Sequence, residues 1–152
     1  MYYRRDTRDV ASLSADCLIG RNLTSLDSSA APGSWVFGFG ADCRLTVESA
    51  WRVVNEGRLT VAGDDHAQTF GLTEPVDSRQ RALKEIGASV VAEVGYDDVT
   101  GDLRIVFASR VRLEVWTHSV GYESWTLWRP DGTQLVAVGG GEVVAFAPES
   151  NR

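Results

Sequence analysis

In SWVFGFGADCRLTV, apolar and other residues take turns. Trp35, Phe37 and Phe39 alternate with small residues, and Cys43, Leu45 and Val47 alternate with Arg44, Thr46 and Glu48. Successive side chains of a strand point to opposite faces, so a period of two with one apolar side predicts a half-buried hairpin. DLRIVFASRVRLEV repeats the pattern. Leu103, Ile105 and Phe107, then Val111, Leu113 and Val115, are apolar, and the Arg104, Arg112 and Glu114 between them are charged.

The two hairpins overlay without gaps when the chain is shifted by 68 positions. Gly33 then meets Gly101, Phe39 meets Phe107, Arg44 meets Arg112, Leu45 meets Leu113, Val47 meets Val115 and Leu59 meets Leu127. Similarity at a fixed period is the mark of a repeated unit. A helix signal precedes each copy. In PVDSRQRALKEIG, Asp77 is an N-cap with Gln80 three residues on, Ala82, Leu83 and Ile86 share a face, and Gly87 is placed to end the helix. In DTRDVASLSADCLIG, Val10, Leu13 and Cys17 follow helical spacing and Gly20 closes the segment.

The expected unit is therefore a helix and about four strands, used at about 7–62 and again at 77–129 of a single domain spanning 1–152. Residues 63–76 are the expected linker, with a short strand near Gln68–Leu72. RPDG at 129–132 is a strong turn signal and GGG at 139–141 a second one. Strands at 123–129, 134–138 and 142–147 then form a meander, in which 130–147 is a hairpin extension. The fold class is mostly β (α+β), with two short helices and antiparallel sheets. Packing the sheets as a sandwich and closing them into a barrel both fit.

A chain of 152 residues with 43% hydrophobic and 24% charged residues has the makings of a packed core. Its net charge of −6, with 15 Lys and Arg scattered along it, argues against nucleic acid as a partner and suits solubility or a basic protein partner. The start, MYYRRDTRDVASLSADC, has basic residues but no apolar run behind them, so no secretory signal is expected. No apolar run is long enough to span a bilayer as a helix. Cys17 and Cys43 form no CxxC; two buried thiols in a reducing cytosol is the expected reading, with a disulfide between them as the alternative.

LIGRNLTSLDSSAAPGSWVFGFG, RLTVESAWRVV, DDHAQTFGL and GYESWTLWRPDG together resemble a family of small, uncharacterised bacterial proteins. That family's pattern runs GR-x-V-x-S before a first strand, then H-x-x-x-FG, then YESW-x-L-x-x-PDG followed by glycines. The resemblance covers about Leu18 to Gly141. It implies a cytosolic bacterial protein with a duplicated β unit, and brings no activity, cofactor or catalytic residue with it.

Candidate chemistry is sparse. Zinc sites want three or four His, Cys or carboxylate ligands, and two His and two Cys stand at no ligand spacing, so neither metal nor cofactor is expected. Asp64, Asp65 and His66 form the best polar cluster, with a polar turn as the plainer reading. His118 follows LEVWT and reads as a strand-end or loop residue. No GxSxG elbow and no P-loop is present.

The aromatics remain. Trp116, Tyr122, Trp125 and Trp128 fall close together. Trp125 and Trp128 sit at opposite parity in one strand, so one faces the core and the other needs a helix, a second subunit or a ligand to cover it. Their indole N–H groups want acceptors, for which Glu123 and Asp131 are nearest in sequence. A non-enzymatic, self-associating interaction module, most simply a homodimer, is the first expectation. The alternatives are a small-ligand site lined by Trp116, Tyr122 and Trp125, an immunity-type protein that masks a partner, and, last, an enzyme built on His66.

Overall fold

Strand-forming alternation is realised along most of the chain, in a computed structural model that describes residues 3–6, 13–29, 31 and 33–148. The strands are β1 (Tyr3–Asp6), β2 (Ser25–Ser28), β3 (Trp35–Gly38), β4 (Arg44–Val47), β5 (Trp51–Asn55) and β6 (Arg58–Ala62), followed, after the helix α1 (Ser78–Ile86), by β7 (Val91–Tyr96), β8 (Leu103–Phe107), β9 (Arg112–Val115), β10 (Trp125–Trp128), β11 (Gln134–Gly139) and β12 (Glu142–Pro148). Both expected hairpins are present, as β3–β4 and β8–β9. The expected meander is β10–β11–β12.

Two antiparallel sheets result. One runs β1-β12-β11-β10-β4-β3-β2 and the other β6-β5-β9-β8-β7. Neither closes into a barrel. Their inner faces meet instead. Trp51 of β5 touches Trp35 and Phe37 of β3 edge to face, each at 5.1 Å between centroids, and Tyr96 of β7 approaches Trp125 of β10 at 6.0 Å. One apolar core holds Phe37, Leu45 and Leu127 of the first sheet with Val53, Ile105 and Leu113 of the second. Burying such side chains contributes about 1.5–3 kcal/mol each.

The two halves of the chain do not keep their strands to themselves. The five-stranded sheet joins β5 and β6 from the first half to β7, β8 and β9 from the second. The seven-stranded sheet joins β2, β3 and β4 to β10, β11 and β12. The C-terminal meander thus extends the sheet of the first half, not of the second. The ladders correspond even so. Phe37 lies opposite Leu45, and Ile105 opposite Leu113. Trp125 lies opposite Val47 and Leu127 opposite Leu45, while Trp51 lies opposite Val115 and Val53 opposite Leu113. The place of Leu127 is therefore taken by Val53 and not by Leu59, as the fixed shift predicts. The shift fails because residues 116–124 between β9 and β10 form a longer loop than residues 48–50 between β4 and β5.

α1 obeys its signals. Asp77 accepts from Gln80 N at 2.8 Å, and the amide of Gly87, at φ 59°, donates to Leu83 O. Ser78, Ala82 and Ile86 form its buried face. The expected first helix differs. Residues 7–12 lie outside the described residues, and Asp16–Leu18 form a 3-10 turn. The expected strand near Gln68–Leu72 is also absent: that stretch is a loop, closed by Ala67 N donating to Val76 O and Val76 N to Gln68 O. Among the described residues, no helix is long and apolar enough to cross a membrane.

Candidate functional site

Parity places β10 as expected. Trp125 and Leu127 point inward and are fully buried; Thr126 and Trp128 point outward. The acceptors are not the sequence neighbours Glu123 and Asp131. Trp125 Nε1 donates to Gly101 O at 2.8 Å, and Trp128 Nε1 donates to Thr46 Oγ1 on the adjoining strand at 2.7 Å. Asp131 instead accepts from Thr133, which holds its carboxyl below the usual range and fixes the RPDG turn. The guanidinium of Arg44, opposite Trp128 in the ladder, lies 4.3 Å from its ring centroid. The covering expected for the outward tryptophan is thus supplied within the same sheet, by Thr46 and Arg44.

The other outer face, that of the five-stranded sheet, is built differently. Rows across a sheet are fixed by register, and here one row reads Gly95, Arg104, Glu114, Arg52, Ala62. Arg52 Nε donates to Glu114 Oε1 at 2.9 Å, and its guanidinium lies 4.1 Å from the ring centroid of Trp116. Trp116 comes directly after β9 and is 46% exposed. Gly95 contributes no side chain to its row. An open cavity of about 490 Å³ lies there, lined by Glu93, Tyr96, Asp97, Asp102, Arg104, Glu114 and Trp116 among others. On the opposite flank of Trp116 is an apolar pocket of about 130 Å³, bounded by Ala50, Leu59 and Ala62 with Arg52 and Asp64. Trp116 is common to both.

The loops at that end of the sheet are rigidly tied. Asp97 Oδ1 accepts from Val99 N at 2.8 Å and Thr100 N at 2.9 Å, bonds to Thr100 and Val99 that hold its carboxyl below the ordinary value. Asp102 Oδ1 accepts from Thr117 N at 2.8 Å. Gly140 N donates to Ser119 O at 3.0 Å, and a Cβ on Gly141 would collide with Val99 O, so the three glycines let loops 97–101, 116–124 and 139–141 close on one another. Val99, Val120 and Tyr122 stand out from these loops, each at least 80% exposed.

The remaining sequence candidates scatter. His66 Nδ1 accepts from Ser78 N at 3.1 Å and its ring meets Trp35 edge to face at 5.0 Å, so it braces the start of α1. Asp64 and Asp65 are exposed in a 3-10 turn at Gly63–Asp65. His118 is exposed in the loop after Trp116. Among the described residues, no group of three or more His, Cys, Asp or Glu is placed to hold a metal ion. A pocket lined jointly by Trp116, Tyr122 and Trp125 is not what the chain builds: Trp125 is core, Tyr122 is a loop tip, and Trp116 lines both cavities described above.

Sequence reasoning missed Arg52, Glu93 and Gly95. Alternation put Arg104, Arg112 and Glu114 on a polar face, but Arg52 reaches that face only because β5 crosses to the sheet of the second half. No curated protein and no solved structure matches the chain. A family model described as a family of unknown function (DUF6188) matches residues 14–147, and the chain belongs to that family.

Proposed function

We propose that this is a non-enzymatic binding module whose partner-facing surface is the outer face of the five-stranded sheet, with Trp116 as its anchor. One observation carries the reading. A half-exposed tryptophan, steadied by a stacked guanidinium, sits between an open cavity and an apolar pocket. Aromatic residues flanked by Arg are the usual anchors of protein contacts. Of the four carboxylates on the cavity walls, Glu114 is paired with Arg52, and Glu93, Asp97 and Asp102 stand against the one lining guanidinium of Arg104. With the net charge of −6, this favours a basic protein segment as the partner. A partner-masking role of the immunity type is one form of this reading, and a cytoplasmic setting suits it. Self-association through the same face is the second form. We also take the two halves as copies of one unit, which the matching ladders of the two sheets support.

The test compares wild type with Trp116→Ala and with Trp128→Phe. Affinity capture with quantitative mass spectrometry, followed by binding of the purified partner over a salt series, should show a partner lost at least tenfold with Trp116→Ala. Trp128→Phe should retain it, and salt should weaken it. Light scattering of the same proteins separates the forms: a dimer that Trp116→Ala dissociates means self-association. Equal capture by Trp116→Ala and wild type would sink the reading.

A further inference from the structure

Cys17 and Cys43 are far apart in sequence, and the fold clamps the segments that carry them together. Cys17 is the middle residue of the turn Asp16–Leu18, half-buried; Cys43 precedes β4 and lies in the core. One arginine clamps the two segments. Arg21 Nε donates to Cys17 O at 3.1 Å, and its Nη1 donates to Phe39 O at 3.1 Å and Asp42 Oδ1 at 2.7 Å. Phe39 N in turn donates to Cys43 O at 2.9 Å, closing the end of the β3–β4 hairpin. A second guanidinium is held over the same turn, since Arg129 Nη1 donates to Ser14 O at 3.1 Å. Within this frame the two side chains are close enough that each thiol is the first influence on the other's ionisation. The matching hairpin of the second half carries Val111 at the place of Cys43, so the thiol pair belongs to the first half alone.

We propose that Cys17 and Cys43 are a peroxide-reactive pair that closes a reversible disulfide. The Cys17 thiolate attacks one oxygen of a hydroperoxide. The O–O bond breaks, the departing oxygen leaves with a proton as water or an alcohol, and Cys17 becomes a sulfenic acid. Cys43 sulfur then attacks Cys17 sulfur. The S–O bond breaks, and the hydroxide released takes the Cys43 proton to leave as water. Two thiols are oxidised and one hydroperoxide is reduced, and a dithiol reductant reverses the bond.

The division of labour reflects the surroundings. Cys17 is the more accessible thiol, and its interaction with the Cys43 thiol, then the charges of Arg129 and Arg21, lower its pKa; the same interaction and burial raise that of Cys43. Cys17 is thus the attacking group and Cys43 the resolving one. The bond would close the loop 17–43 around β2 and β3.

The experiment treats the reduced full-length protein with hydrogen peroxide at one to ten equivalents, then counts thiols and maps peptides without reduction. The expected result is loss of both thiols together, a Cys17–Cys43 cross-linked peptide, and recovery of both thiols with dithiothreitol. Cys43→Ser should trap a sulfenic acid at Cys17, seen as a dimedone adduct, whereas Cys17→Ser should leave Cys43 unreacted. Arg21→Gln should slow thiol loss several-fold. Sulfinic or sulfonic acid at Cys17 with Cys43 still reduced would overturn the proposal. So would survival of both thiols under peroxide that fully oxidises free glutathione. The wild-type measurement decides alone if a variant fails to fold, and neither outcome depends on the binding reading.

Discussion

Trp51 and Trp125 hold the same place in two matching ladders, opposite Val115 and Val47, and both are buried. Their indole N–H groups end differently. Trp125 donates to the Gly101 carbonyl, whereas Trp51 Nε1 has no acceptor among the described residues and lies against Gly63, where a Cβ would fall on the indole. The outward tryptophans differ in the same sense. Trp128, in the seven-stranded sheet, is bonded to Thr46; Trp116, beside the five-stranded one, is half exposed. One sheet supplies acceptors to Trp125 and Trp128, and the other leaves Trp51 without one and Trp116 half exposed. Local rules are broken where something besides folding sets the residue. The tryptophan-rich strand β10, which the sequence singles out, is therefore wall, and the five-stranded sheet is the face to probe.

The contrast is tested hardest in the core. Trp125→Phe strands the buried Gly101 carbonyl and opens a void, so it should cost about 2–4 kcal/mol. Trp51→Phe removes a group that had no protein acceptor and should cost about 1–2 kcal/mol, the void alone. Urea titrations followed by circular dichroism measure both. Equal losses would mean that the Gly101 bond adds nothing and that the two tryptophans are energetically alike.

An effect smaller than that of Trp125→Phe is expected at the residue beside each indole. Continuing the ladder, Gly63 neighbours Trp51 as Ala137 neighbours Trp125, which lies opposite it. Gly63→Ala should destabilise by about 1–3 kcal/mol through overpacking. Ala137→Gly should cost about 1 kcal/mol through chain entropy and a lost methyl group. A neutral or stabilising Gly63→Ala, read as an unchanged or raised urea midpoint, would show that Trp51 has room to move and that the close approach is no constraint.

What the sequence made legible is the face each residue takes, and what it hid is which strands lie side by side. Period-two alternation placed Leu45, Leu113, Trp125 and Trp128 correctly, because parity within a strand is a local property. It also marked Arg104 and Glu114 as outward. It could not bring Arg52 to them, since a strand's neighbours depend on loop lengths and on the twist of whole sheets. The loop 116–124 broke the fixed shift, so Leu59 stood where Val53 belongs, and Trp51 went unrecognised as the partner of Trp125. The acceptors failed for the same reason. Thr46 and Gly101 are remote in sequence from the tryptophans they satisfy, while Glu123 and Asp131 are only near in sequence.

The smallest difference between the sheets is one of acid sensitivity in two turns of the same design. In the seven-stranded sheet, Ala31 N donates to Ser29 Oγ at 3.1 Å just after β2; in the five-stranded one, Val99 N donates to Asp97 Oδ1 at 2.8 Å just after β7. Only the second acceptor titrates. The bonds from Thr100 and Val99 depress the Asp97 pKa in the folded protein, so its contribution is fully present above the unfolded value near 3.9 and is lost as pH falls through the lower folded value. Hydrogen exchange should therefore show the protection of Val99 and Thr100 falling as the pH drops below about 4, with that of Ala31 unchanged once intrinsic rates are divided out. Asp97→Asn should flatten the dependence, since an amide oxygen accepts the same bonds without a proton to gain. Loss of protection at Ala31 in step with Val99 would mean that acid loosens both sheets together, and that the carboxylate is no more than a cap.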